Sequence, residues 1–173
     1  ENLGCKVVSW ECNPHALETC RLNLLGREHS IELVEKAVWS RNEEITFRPV
    51  INGNIGASSA FKADTSYPYE KPYQQIEIKV QAMRVDDWWK NTLLPKPELL
   101  CMDLQGAEME ALEGMGDVLD SVKYIITEGQ CKRLYHDTPL IGDIEQFLTS
   151  KGFSMRASKM VNDYFGDFFF VKD

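Results

Sequence analysis

The chain is poor in the features that mark a metalloprotein, a membrane protein or a nucleic-acid binder. It has no C-x-x-C pair, and its three histidines, His15, His29 and His136, stand far apart. A zinc centre needs a tighter ligand cluster than that, so no metal is expected. No apolar run approaches the roughly 20 residues that span a bilayer, which argues against a membrane-embedded protein. Positive charge is also in deficit: 19 Lys and Arg face 27 Asp and Glu, for a formal net charge of -8. Nucleic acids and anionic membranes select clustered Lys and Arg, so neither is expected as a partner. Nothing in the chain reads as a signal peptide, an internal repeat, a linker or a low-complexity tract. Its five cysteines, Cys5, Cys12, Cys20, Cys101 and Cys131, are odd in number. Free thiols in a reducing, cytoplasmic setting are the simplest expectation.

What is present fits one α/β domain. The 173 residues are 43% apolar and 27% charged, enough for a hydrophobic core. A β-rich run at Lys6–Glu11 is broken at Asn13 and Pro14, and proline suits a first helical turn. Ala16, Leu17, Cys20, Leu24 and Leu25 then share a helical face, with Gly26 as its stop. Strands are predicted over Ile31–Trp39, Glu44–Val50 and Gln75–Val85, the last two by alternation. The 51–73 stretch is an irregular loop carrying Tyr67, Tyr69 and Tyr73, a candidate lid over an acceptor. Asp86 is expected to cap a short helix through Trp88 and Trp89, whose rings read as one core and one surface aromatic. Val122–Thr127 is a buried strand, Leu140–Lys151 a helix closed by Gly152, and Phe153–Ser158 and Phe165–Val171 a final pair of strands. This order predicts an α/β sheet, mostly parallel with an antiparallel edge at its C-terminal end.

The most informative segment lies at its centre. Leu99, Leu100, Cys101 and Met102 form a buried strand that ends at Asp103. The chain then turns through Gln105 and Gly106 into a helix with Met109, Leu112 and Met115 at helical spacing. In open α/β sheets ligands sit beyond the carboxyl ends of the strands. Three strands end in acidic or polar groups there: Glu11 with Asn13, Asp103 with Gln105, and Glu128. A carboxylate accepts two hydrogen bonds from a diol, so Glu11 suits ribose hydroxyls. Asp103 and Glu128 are candidates to orient a substrate or act as general base, as is His136 near neutral pH. Asp103 also suits a helix cap, Gln105 a turn, and Glu108 the positive end of a helix dipole.

The run from Glu98 to Glu108, followed by Ala111, Leu112, Glu113 and Gly114, resembles the signature of FkbM-type methyltransferases. Trp10 to Pro14, Lys36-Ala37-Val38, Ala57-Ser58-Ser59, Arg84 to Asp87, Ile126-Thr127-Glu128 and Gly152-Phe153 agree in order. The resemblance covers nearly the whole chain. It implies a Rossmann-like class I methyltransferase fold using S-adenosylmethionine, with methyl transfer to a hydroxyl of a sugar or natural product. Small-molecule or carbohydrate acceptors would be its partners. Carried over, Glu11 would bind the cofactor ribose with Asn13 beside it. Ala37 and Val38 would pack near the adenine. Asp103 and Gln105 would face the methionine end or the substrate, and Glu128 would line the acceptor pocket. The family's first strand and glycine-rich turn have no counterpart here. The expectation is therefore a single methyltransferase-like domain over residues 1–173 that lacks its N-terminal strand and first helix. Two other classes stay open: an NAD-dependent oxidoreductase on a similar sheet, and a non-catalytic Rossmann-like interaction domain.

Overall fold

Alternating and helical patterns resolve into distinct layers in the computed structural model, which describes residues 4–64 and 73–173. β1 (Val7–Trp10) leads into α1 (Pro14–Leu24), then β2 (Ile31–Val34), β3 (Ala37–Val38) and β4 (Glu43–Phe47). A 3-10 turn at Ile55–Ala57 precedes β5 (Ile78–Met83) and the short α2 (Val85–Trp89). β6 (Leu99–Met102), α3 (Glu108–Gly114) and a 3-10 segment at Gly116–Ser121 follow. β7 (Tyr124–Gln130), α4 (Ile141–Ser150), β8 (Phe153–Met160) and β9 (Phe165–Lys172) complete the fold.

The strands form three hydrogen-bonded groups: β1-β2, β3-β5-β4 and β6-β7-β9-β8. β1/β2, β3/β5 and β6/β7 are parallel. β4/β5, β7/β9 and β8/β9 are antiparallel. The chain is thus a mixed α/β fold with the expected antiparallel C-terminal end, while parallel pairs do not outnumber antiparallel ones among the described strands. The core lies mainly on one face of the four-stranded group. Met102, Ile125, Phe168 and Phe170 pack there against Leu112 and Met115 of the α3 region and Ile144 and Leu148 of α4. Leu112, Met115, Ile125, Ile144, Leu148 and Phe170 are fully buried. Burial of this apolar surface stabilises each such side chain by about 1.5–3 kcal/mol.

Four local readings are corrected. The stretch read as one strand, Ile31–Trp39, is two, because the Lys36 N–H bonds Val34 O at 2.9 Å and turns the chain. β2 stays with β1, and β3 joins β5. Asp86 does not cap α2. Arg84 holds the cap position, and its guanidinium takes both Asp86 carboxylate oxygens at 2.8 and 2.7 Å. Trp88 and Trp89 are both half-buried: Trp88 sits edge-on between Trp10 and Trp89, and Trp89 packs on the core. Glu128 is not a strand end. β7 continues to Gln130 because β9 pairs with it as far as Gln130↔Phe165, past the last parallel pair Met102↔Thr127. Of the three tyrosines read as a lid, Tyr67 and Tyr69 lie outside the described residues. Tyr73 packs, partly buried, against the cluster of Ala63, Leu134 and Tyr135.

Candidate active site

The carboxyl ends of β1 and β6 open on one cavity of about 300 Å³. Glu11 and Asn13 line it from just past β1, Lys36 from the β2–β3 turn, Ala37 and Val38 from β3, Gly56 and Ser58 from the 3-10 turn and its end, and Asp103 and Gln105 from the loop after β6. The six residues proposed from sequence for cofactor contact, Glu11, Asn13, Ala37, Val38, Asp103 and Gln105, are therefore brought together. Its walls also carry Trp10, Ile45 and Phe47, so it is apolar with a few convergent polar groups, the usual character of a small-molecule site.

At the β1 end, backbone geometry sets the carboxylate. Glu11 Oε1 accepts the Cys12 N–H at 2.8 Å and the Asn13 N–H at 2.7 Å. Glu11 Oε2 takes no bond from the described residues. Asn13 starts α1 by accepting the His15 N–H at 3.1 Å, and its Nδ2 donates to Ser58 Oγ at 3.2 Å. Asn13 thus ties the β1 end to the 3-10 turn across the cavity. Burial, with Glu11 nearby, pushes the Cys12 thiol up to about 12, so it is no nucleophile at neutral pH.

The β6 end is a strained turn. Gln105 is held at φ 52° and Gly106 at φ 101°, a region that a side-chain-bearing residue such as Gln105 visits only when its surroundings over-determine it. The buried Ser59 hydroxyl donates to Gln105 O at 2.7 Å. Glu108, also buried, accepts the Leu104 N–H at 2.9 Å and the Gly106 N–H at 3.0 Å. Its carboxylate closes the turn and is absent from the cavity wall, which makes it structural. Burial pushes it up to about 7, against the pull of these two donors.

Gln105 then gathers the acidic groups. Its Nε2 donates to Asp103 Oδ1 at 2.5 Å and to Glu128 Oε1 at 2.9 Å. Glu128 stands behind Gln105, half-buried, one hydrogen bond from the cavity wall. Its carboxyl is pushed up to about 7 by burial and by Asp103, Glu108 and Asp167, with Gln105 opposing. A carboxyl titrating near neutrality beside a cavity suits general-base work.

His136 is not part of this arrangement. Ala63 and Tyr135 form an antiparallel bridge and the His136 N–H bonds Lys62 O at 2.8 Å. Successive side chains on such backbone point to opposite sides. Tyr135 goes inward, 1% exposed, and His136 outward into solvent. Sequence reading missed Tyr135, whose hydroxyl reaches Gln105 Oε1 at 2.7 Å and Ala57 O at 3.0 Å. Only the pairing with a distant segment reveals it. Among the described residues no group of three His, Cys, Asp or Glu is placed to hold a metal ion. No helix among them is long and apolar enough to cross a membrane.

Comparison with known proteins identifies the family of the chain. The model of the methyltransferase FkbM domain matches residues 1–155. The 2-O-methyltransferase NoeI of Sinorhizobium fredii is 32% identical over 140 residues, 75% of this chain and 56% of that protein. The hexuronic acid methyltransferase AglP of Haloferax volcanii is 24% identical over 122 residues, 70% of this chain and 46% of that protein. The chain spans about half the length of these curated relatives. The crystal structure of a methyltransferase FkbM from Methylobacillus flagellatus superposes with a TM-score of 0.60 at 13% identity, over 95% of this chain and 36% of that one. At that identity the likeness is one of fold.

Proposed function

The chain belongs to the FkbM methyltransferase family, and from that premise we propose that it serves an S-adenosylmethionine-dependent O-methyltransferase acting on a sugar hydroxyl. The observation that carries this reading is the convergence of Glu11 and the Asp103–Gln105 turn on one cavity, which Ala37 and Val38 also line. The family match favours this reading over a nicotinamide-dependent oxidoreductase. A sugar acceptor is supported by the names of the two relatives, a 2-O-methyltransferase and a hexuronic acid methyltransferase.

The residues present fit the cofactor. Glu11 keeps one carboxylate oxygen for backbone N–H groups and leaves the other for a ribose diol. Ala37 and Val38 are small and apolar, as a flat aromatic base requires on its face. When bound, S-adenosylmethionine supplies an electrophilic methyl group on a sulfonium sulfur. The protein's tasks are to align the acceptor oxygen with that methyl and to accept the acceptor's proton. Asp103, on the cavity wall, and Glu128, bridged to it by Gln105, form the proton-accepting pair. Burial first, and then the neighbouring charges of Asp103, Glu108 and Asp167, push the Glu128 carboxyl up to about 7.

The direct test supplies the protein with cofactor carrying a labelled methyl group and a panel of sugars and uronic acids. Label is expected in a sugar methyl ether. Tight cofactor binding with no transfer to any hydroxyl acceptor would overturn the acceptor class. Absence of cofactor binding by the full-length protein would overturn the reading itself.

A further inference from the structure

We propose that the Tyr135 hydroxyl is a positioning group for the proton-accepting pair: it holds the Gln105 amide so that its NH2 bridges Asp103 and Glu128. The catalytic meaning of this inference rests on the function proposed above, but the coupling between the groups does not.

A glutamine amide has two donors at one end and an acceptor at the other. Here both donors are used, one on Asp103 Oδ1 and one on Glu128 Oε1. The reverse orientation would set Oε1 against two carboxylates, acceptor against acceptor. Something must hold the other end, because a glutamine side chain has three freely rotating bonds. The phenol does so, 2.7 Å from Gln105 Oε1. Tyr135 has little freedom of its own. It is buried with Ala63 and Leu134 against Phe61, Tyr73, Tyr164 and Phe165, and the bridge to Ala63 fixes its backbone. Its hydroxyl carries a single proton, and Ala57 O at 3.0 Å is the more distant of the two acceptors in reach, so the shorter contact to Gln105 Oε1 takes the donor.

The charges around Glu128 give this contact weight. Asp103 faces it from the end of β6, Glu108 from α3 and Asp167 from β9, and all three are acidic. Among the described residues the Gln105 NH2 is the one donor to its carboxylate. Removing the phenol's oxygen leaves Gln105 Oε1 without its donor, facing the apolar ring at position 135. The amide recovers a partner only by rotating Oε1 toward the cavity, which takes Nε2 off the carboxylates. Glu128 then loses its opposing influence and is protonated at higher pH.

The experiment is a carboxyl 13C NMR titration of the full-length protein labelled at glutamate, with the Glu128 resonance assigned through Glu128→Gln. In the unaltered protein the Glu128 midpoint is expected near neutrality. In Tyr135→Phe it is expected to rise by about one pH unit, the effect of losing a hydrogen bond to a charged group. The acid limb of the methyl-transfer profile is expected to move with it. An unmoved Glu128 midpoint in folded Tyr135→Phe overturns the proposal. Should that variant fail to fold, 3-fluorotyrosine placed at position 135 by codon suppression keeps the ring and makes the hydroxyl a stronger donor. Its midpoint is then expected to fall, and an unmoved midpoint overturns the proposal equally. Because the titration needs no turnover, a shifted midpoint without methyl transfer would count against the proposed function alone.

Discussion

Replacing Glu11 by glutamine separates the cofactor role of this residue from its structural one. Glu11 Oε1 holds the Cys12 and Asn13 N–H groups at 2.8 and 2.7 Å. Glutamine retains an oxygen there, so the end of β1 and the Asn13 cap on α1 are expected to persist. What changes is the second oxygen, which becomes an NH2 unable to accept a hydrogen bond from a ribose hydroxyl. A hydrogen bond to a charged group contributes about 1.5–3 kcal/mol. Glu11→Gln is therefore expected to weaken S-adenosylmethionine binding by about 10- to 150-fold. Isothermal titration calorimetry reads the affinity, and urea unfolding without ligand reads the fold, which is expected to change by less than about 0.5 kcal/mol. Glu11→Ala loses both oxygens and is expected to cost a further 1–2 kcal/mol or so of stability. Affinity for Glu11→Gln within about twofold of the unaltered protein would refute the ribose assignment. A stability loss as large in Gln as in Ala would refute the division of labour between the two oxygens.

Three further outcomes are expected. Gly106→Ala puts a Cβ 2.5 Å from the Thr138 methyl at φ 101°, and unfolding in urea should show a loss of about 2–4 kcal/mol; a loss under about 0.5 kcal/mol would mean that the turn relaxes freely. Burial raises Glu108 in the folded state to about 7 from its ordinary value of 4.5, so the folded protein binds the extra proton between those values. Stability contributed by this group is full below about pH 4.5 and is lost as pH rises through about 7, by at most about 3 kcal/mol; urea midpoints measured from pH 5 to 8 should fall, and fall less in Glu108→Gln. His136→Ala should leave methyl transfer within about twofold, since surface changes of this kind shift energies by about 0.5 kcal/mol; a loss of two orders of magnitude in kcat would restore His136 as a candidate base.

Much of the site was legible because its residues sit next to strong local signals. Glu11 follows a β-rich run and precedes Asn13-Pro14, Asp103 follows four apolar residues, and both positions face the cavity that the chain order implies. Ala37 and Val38 were legible only through the family resemblance. Their surroundings read as one strand, and the turn at Lys36 depends on a local backbone bond that residue pattern does not encode. Glu108 was open between helix dipole and site; the two N–H groups it accepts decide for the turn. At positions 135 and 136 the sequence offered only His136 as a candidate, while the structure brings Tyr135 to the site. In a polar loop the histidine draws attention, and only the bridge to Ala63 says which of two adjacent side chains faces inward.

The position of Glu128 shows why strand ends are harder to read than strands, and why that matters for chemistry. The apolar run stops at Thr127, so composition places the end there. The ladder does not stop, because β9 supplies partners through Phe165, and Glu128 sits opposite Asp167 within an antiparallel pair. A carboxylate at a frayed strand end would be solvated and would titrate in the ordinary range. Fixed inside the ladder, Glu128 keeps a half-buried carboxyl, and its burial, with Asp103, Glu108 and Asp167 crowded round it, pushes it up to about 7. The antiparallel hairpin at the C-terminal end of the chain thus does more than close the sheet. By carrying β7 past the end of β6 it places an acidic group behind Gln105, where the proposed proton acceptor needs one.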